Sequence, residues 1–456
     1  MIFILGWIRW AVAIPAALLI LLSFFFGSKS HTAVLPRVTK NTGVTFAIVG
    51  IIICVWVCFS GVGGFVVQTA DHLCRNEIFR ILVEDNWPVQ KDVLIDGVAQ
   101  NRYLSYYIGF WMPAAVFGKV FGLNAGFVFQ AIWAVLGIAL VYVKLSEKVG
   151  FWKINSLLIF ILFAGLDILG CVLVKKNIFT MPITEGIEAW AGFQYSGHTV
   201  QLFWVFNQAI YGWLLTLCIL NESKNSRMIL IWSCGLLECT FPFVGMLPVL
   251  VYKILSNMKK ENPEGKLFTK TSVKELFSFG NVVGGGIIGI ISFLYLFGNA
   301  SAGNAGVEAA EYHRGTLVYI LKVAAFVFVE TGIYHLCLLK YQRKNPLFWI
   351  SLGMLIICPF IRVGTSSDFC MRASIPALLV VCVMIIENLN LTWQKDRKWF
   401  CVLLAAFLIG CVTTVHEIGY AFKTGKQLTY VQDNILMPSN FSSASGSSFF
   451  MKYLAK

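Results

Sequence analysis

Residues 44–65 read VTFAIVGIIICVWVCFSGVGGF, twenty-two positions without a single charge. A bilayer's hydrocarbon core takes about 20 apolar residues of helix, so this run is long enough to cross one. Comparable stretches recur to either side of it. They span Trp10–Phe26, Phe127–Val143, Asn155–Val174, Leu202–Leu220, Leu276–Phe297, Leu317–Leu338, Leu347–Ile361, Ser374–Ile386 and Phe400–Val415. A further pair, Ile229–Glu238 and Phe241–Ile254, is too short for two crossings and reads as a broken hairpin that enters and returns.

The bulk numbers agree. Across 456 residues, 58% are hydrophobic and 13% charged, with a mean hydropathy of +0.75. A soluble domain carries about 25% charged residues, so this chain has too few to cover a water-facing surface. The expected fold is all-α: a polytopic transmembrane helix bundle of about 11–12 membrane segments, some broken, forming one integral membrane domain over residues 1–456. The first apolar run exceeds a signal-peptide core and reads as a retained helix.

The net charge of +13 describes topology rather than nucleic-acid binding. The connections 28–43, 144–153, 221–227, 253–275, 340–346 and 391–398 hold 20 of the 36 Lys and Arg but only 6 of the 23 Asp and Glu. The positive-inside rule puts these connections in the cytoplasm and the acid-rich connections outside. The signs match downstream only if Ser105–Phe121 does not cross. That segment is expected as a helix along the outer membrane face, within a long first outer loop at 63–126. The stretch 418–456, with its "PSNFSSASGSS", reads as an extracytoplasmic tail or mobile loop. The thirteen Cys lie mostly inside apolar runs and show no metal-site spacing, which marks them as packing residues.

Function is sought on the outer side. Asp71 follows the second helix, and 71–86 alternates at helical spacing, with Leu73, Ile78, Phe79, Ile81 and Leu82 on one face. An amphipathic surface helix would hold this carboxylate at head-group depth as a general base or metal ligand; a plain helix N-cap is the structural alternative. Arg102 lies further along the same loop as a substrate-binding candidate. Asp167 sits inside an apolar helix near its outer end and calls for a polar cavity or a cation such as Lys175 or Lys176. In "TEGIEAWAGFQYSGHTVQLFWVFNQA", Glu185, Glu188, Gln194, Tyr195, His198, Gln201 and Asn207 alternate with Trp and Phe. Sugars, with apolar faces and a polar rim, suit such a lining; an interfacial aromatic belt is the bland reading. In "RVGTSSDFCMRAS", Arg362 and Arg372 could clasp a phosphate, with Asp368 orienting one of them, or could be ordinary snorkelling flanks. Glu238 and Glu330 lie deep in apolar segments as candidates for an ion path. The glycines of Val282–Gly289 suggest close helix packing.

Taken together, these elements resemble the GT-C superfamily of polytopic glycosyltransferases, and also uncharacterised bacterial membrane proteins with "FQYSGHT", "FNQA" and "SSDFCMRASIPAL" segments. The likeness covers roughly the first 220 residues in order: a long first outer loop with Asp71 just after a helix, then Tyr106, Tyr107 and Pro113, then a helix ending in Lys144 and Lys148. It implies transfer of a sugar from a polyprenyl-phosphate donor, in the membrane lipid, to a glycan or protein acceptor at the extracytoplasmic face of a bacterial plasma membrane. Asp71 would be the catalytic carboxylate, Arg362 and Arg372 would hold the lipid phosphate, and Asp167, Glu185 and Gln194 would shape the acceptor site. The family's acidic pair is Asp71–His72 here, which leaves a divalent cation open as cofactor. A transporter or flippase component for lipid-linked glycans is the alternative.

Overall fold

The computed structural model describes residues 1–27, 40–66, 68–95, 98–175, 187–261, 269–299, 316–363, 368–424, 436, 438–442 and 448–456. Among these, nine helices are long and apolar enough to cross a membrane: Thr42–Phe59, Leu123–Val149, Ile154–Leu173, His198–Asn221, Thr240–Lys260, Ser272–Phe297, Leu317–Gln342, Asp368–Lys395 and Arg397–Lys423. Trp10–Phe26 and Pro346–Phe360 are shorter apolar helices beside them. The chain is an all-α, multi-pass membrane protein.

Burial sorts the helices by composition. Every residue from Met371 to Ile386 is buried, because this run is apolar on all sides and other helices surround it. Thr42–Phe59 is the opposite case: only 22% of its span is buried, and Ile51 is 64% exposed. A rim of bare aliphatic side chains on this scale belongs against lipid. A surface of this kind would drive aggregation in water; in a bilayer it is solvated.

The basic helix ends gather at one end of the bundle. Lys148 pairs with Glu387 at 3.2 Å, Lys153 donates to Asn390 at 2.9 Å, Lys340 pairs with Asp396 at 2.5 Å, and Asn221 donates to the Lys144 carbonyl. Between Arg227 and Lys253, the helix Met228–Ser233 is six residues long, about 9 Å, and does not cross. The chain turns at Cys234–Cys239 and returns through Thr240–Gly245 and Leu247–Glu261. In the glycine run, Gly284 leaves no room for a side chain: a Cβ there would sit 2.6 Å from that of Ser23.

Three expectations change. The segment Ser105–Phe121 is α-helical only from Met112, after a 3-10 turn at Gly109–Trp111, with Pro113 in the first α-helical turn, where a missing N–H costs nothing. Its first half is drawn inward, with Ile108, Phe110 and Trp111 buried. The Ala70–Glu84 helix is no surface amphipath: His72, Arg75, Asn76 and Glu77 are buried along with Ile78, Phe79, Ile81 and Leu82. It packs on Met112–Phe121, and Val83 touches Gly118 so closely that a Cβ there would be 2.8 Å away. The last connection is described only in part: residues 425–435, 437 and 443–447 of the expected tail lie outside the described residues. The helix Arg397–Thr424 runs past 418, and the described residues beyond it are stitched into the fold. Ser442 donates to the Tyr103 carbonyl at 2.8 Å, and Arg9 Nε donates to the Ala455 carbonyl at 2.8 Å.

The loop also contains an antiparallel hairpin, Gln90–Ile95 with Val98–Tyr103, registered Gln90 to Tyr103 and Ile95 to Val98. The sequence between the strands is Asp96–Gly97, a common two-residue hairpin connection.

Candidate functional site

At the end of the bundle opposite the basic termini lies a cavity of about 240 Å³. Asp71, Glu188, Gln194, Asp368 and Arg372 all line it, together with Trp204, Thr413, His416 and Glu417. Five side chains singled out from the sequence, drawn from three separate segments, therefore open onto one space.

The Ala70–Glu84 helix supplies Asp71. Thr69 is its N-cap, and Asp71 stands in the first turn, where a carboxylate suits the helix dipole. One turn on, Arg75 Nη2 donates to Asp71 Oδ2 at 2.8 Å. Arg75 is nearly enclosed (5% exposed), whereas Asp71 keeps 43% of its side chain open to the cavity. The guanidinium lies over the Phe206 ring, 5.8 Å from its centroid, and donates Nη1 to the backbone carbonyl of Trp204. That carbonyl is available because His198–Asn221 is kinked at Val205, whose φ of −135° and ψ of 35° break the helical ladder.

The Asp368–Ala373 turn of helix supplies the second guanidinium. Arg372 pairs with Asp368 at 3.1 Å and lies 5.9 Å from the Phe241 centroid. Between the two arginines sit Tyr106 and Tyr107, hydrogen-bonded through their hydroxyls. Burial pushes the Tyr106 phenol well above its ordinary range, Tyr107 adds to this, and the guanidiniums of Arg75 and Arg372 pull against it. Both arginines keep a buried Nε–H with no partner among the described residues. A buried donor without an acceptor is costly, so each guanidinium has a hydrogen bond left to give.

The other wall carries neutral and acidic groups. Glu188 accepts from the Gly197 amide at 2.8 Å and from Gln194 Nε2 at 2.9 Å. Burial raises its carboxyl well above the ordinary range, the nearby Asp167 raises it further, and Gln194, Gly197 and Ser196 only partly offset this. Trp204 donates its indole N–H to Glu417 at 2.9 Å. Behind Thr413, which donates to Asp167 at 3.0 Å, lies a deeper acid pair: the carboxyl of Glu330 rests against Asp167 and takes the Trp190 indole N–H. Asp167 thus meets a hydroxyl and another acid; Lys175 is exposed and forms no ion pair among the described residues.

Other expected residues lie elsewhere. Arg362 is half-buried and does not line the cavity. Arg102 belongs to the hairpin, held by Gln100 and the Ser442 carbonyl. His198 is enclosed, with Nδ1 2.8 Å from the Phe160 carbonyl oxygen. Gln201 accepts from Trp213, and Tyr195 donates to the Leu355 carbonyl, so both serve packing. Glu238 packs on Gly109, away from the cavity. Glu185 and Lys176 fall outside the described residues. Trp204 belongs to the aromatics expected to line a sugar site, whereas Arg75 and Glu417 were not anticipated. Only Arg75 had a local signal, its i, i+4 spacing from Asp71.

A divalent ion finds little to bind. Among the described residues no three His, Cys, Asp or Glu side chains are placed to share one. His72 turns inward, its Nδ1 2.9 Å from Thr69 Oγ1 and its ring stacked on Phe206. Burial holds its pKa down to about 3, with Arg75 adding to the effect and Asp71 opposing it. Asp71 is already engaged by Arg75 at 2.8 Å.

The fold and the cavity define a multi-pass membrane protein with a polar pocket at one end. No family model matches the chain, and neither the curated proteins nor the solved structures contain a match to it.

Proposed function

We propose that the chain is a glycosyltransferase of the GT-C kind, moving one sugar from a polyprenyl-phosphate donor to an acceptor at the extracytoplasmic face of a bacterial plasma membrane. The observation that carries this reading is that Asp71 and Arg372 open onto the same cavity. Positive-inside topology assigns the basic end to the cytoplasm and the cavity end to the outside. A volume of about 240 Å³ falls below the roughly 300–1,000 Å³ of drug-sized pockets, which suits a single sugar ring.

In this mechanism an acceptor hydroxyl gives its proton to Asp71 as its oxygen bonds the anomeric carbon. The bond from that carbon to the phosphate oxygen breaks, and the lipid phosphate leaves with the electron pair, inverting the anomeric centre. Arg372, which lines the cavity, faces the charge that grows on the leaving phosphate, while Arg75, enclosed behind Asp71, holds that carboxylate in place. Glu188, whose carboxyl pKa burial pushes up, and Gln194 offer hydrogen bonds to sugar hydroxyls.

The transporter reading rests on a different observation, the enclosed Asp167–Glu330 pair beneath the cavity. One assay separates the two. Purified protein in vesicles is given polyprenyl-phosphate sugars and scored for release of lipid phosphate. Asp71→Asn is expected to lower release by about 10²–10⁴-fold without changing the melting temperature. Release that is indifferent to both Asp71→Asn and Arg372→Met would overturn the transferase. Glycan movement across the bilayer without covalent change would establish the transporter in its place.

A further inference from the structure

At the basic end of the bundle a second cavity, about 440 Å³, opens between Ile154–Leu162, the last turns of Ile375–Lys395 and the first turns of Arg397–Thr424. We propose that this groove binds an anionic glycerophospholipid, independently of the reaction at the other end. The site is built in three layers, and each matches one part of such a molecule.

The depth of the groove is hydrocarbon: Leu158, Ile159, Leu162, Leu389, Leu404 and Phe407 form its walls. A slot with such walls, on the lipid-facing side of a membrane bundle, favours an acyl chain over water. The mouth is cationic. Lys153 lines it directly, and Lys395, Arg397 and Lys398 are exposed beside it. The acids close by are already committed, Asp396 to Lys340 at 2.5 Å and Glu387 to Lys148 at 3.2 Å. None of the four cations forms an ion pair among the described residues, so the mouth carries a surplus of positive charge. Trp393, half-exposed on the rim with the Arg397 guanidinium 3.6 Å from its ring centroid, has the character of an interfacial anchor.

Between mouth and slot stands the third layer. Ser156 lines the groove, is fully buried, and its hydroxyl has no hydrogen-bond partner among the described residues. It lies one helical turn beyond Lys153, about 4.5 Å along the axis. A phosphate at Lys153 would place its glycerol ester carbonyls at that depth, where the Ser156 O–H can donate. An unpartnered hydroxyl in an apolar wall is otherwise costly. Asn155 and Asn390 flank the same level, and Asn390 holds the Lys153 ammonium at 2.9 Å toward the opening.

The test measures lipid binding to the full-length protein by native mass spectrometry and by melting in vesicles. Dioleoyl-phosphatidylglycerol is compared with the zwitterionic choline lipid of the same chains. The anionic lipid should bind saturably and more tightly. With about a fivefold contribution per basic residue near the surface, Lys153→Ala with Arg397→Ala should weaken it about 25-fold while leaving the choline lipid unchanged. Both substitutions are on exposed side chains, so the fold should survive, which the melt in choline lipid checks. Leu404→Trp should fill the slot and abolish saturable binding of either lipid. Equal affinity for the two lipids, an anionic preference that survives the double substitution, or a groove covered by a second copy of the chain would each overturn the proposal.

Discussion

Replacing Gly245 with Ala tests how the second guanidinium is placed. A Cβ at this position would lie 2.1 Å from the backbone carbonyl oxygen of Ala373, the residue next to Arg372. Ordinary C···O contacts begin near 3.3 Å, so the two segments must part by about 1.2 Å. Neither atom is the end of a flexible side chain, and nothing can rotate out of the way. Overpacking of this kind costs about 1–3 kcal/mol. A displacement of about 1 Å in a positioning group costs about 100-fold in rate, so release of lipid phosphate should fall by that order. Gly353→Ala is the matched control: no atom lies within 4 Å of its Cβ, and it sits inside the Pro346–Ile357 helix, where Ala gains up to about 1 kcal/mol over Gly. Melting followed with a thiol-reactive dye suits this chain, because Cys239, Cys370 and Cys382 are buried and free. The same substitution should lower the melting temperature at 245 and hold or raise it at 353. If Gly245→Ala melted with Gly353→Ala and kept its rate, the close approach that positions Arg372 would be refuted.

Acid should destabilise the protein through His72. Its pKa is about 6.5 unfolded and held to about 3 by burial, so the unfolded chain takes up the proton first as pH falls. That stability is complete above pH 6.5, and about 3 kcal/mol of it is gone by pH 4.5, two units lower; a His72→Asn melt series should show a flatter slope. Trp204→Phe strips the buried Glu417 carboxyl of its indole donor and should cost about 1–3 kcal/mol, a loss that vanishes when Glu417→Leu is combined with it in a double-mutant cycle. Arg372→Ala should weaken retention of a polyprenyl phosphate by tenfold or more, whereas Arg362→Ala, away from the cavity lining, should leave it unchanged in the same binding assay.

The bundle was legible because hydropathy acts one residue at a time: a run such as 44–65 has only one comfortable solvent. The basic connections likewise foretold which helix ends would meet, as the Lys148–Glu387 and Lys340–Asp396 contacts show. Apolar side chains did not by themselves reveal whether they faced lipid or protein. That is why Ser105–Phe121 read as one surface helix although Phe110 and Trp111 turn into the core. The hairpin at 90–103 had its signal in the Asp96–Gly97 dipeptide, but its strands are short and lack a clean apolar alternation. At the cavity, residue type marked Asp71, Glu188, Gln194, Asp368 and Arg372, since polar groups in so apolar a chain need a reason. Type alone could not separate those five from Arg102 and His198, which satisfy backbone carbonyls instead. Trp204 and Glu417 meet across 213 positions, and no local pattern encodes such a meeting.

The bend at Val205 makes one indole residue a mechanical joint. Its main chain is gripped by Arg75 from the Ala70–Glu84 helix, while its ring grips Glu417 on the final long helix. A ligand that drew Arg75 toward itself would tug on a carbonyl that no side-chain replacement can delete. The strain would pass through the Trp204 ring to a helix more than two hundred positions away. Occupancy at one wall of the chamber would then be felt at the other within a single residue's width.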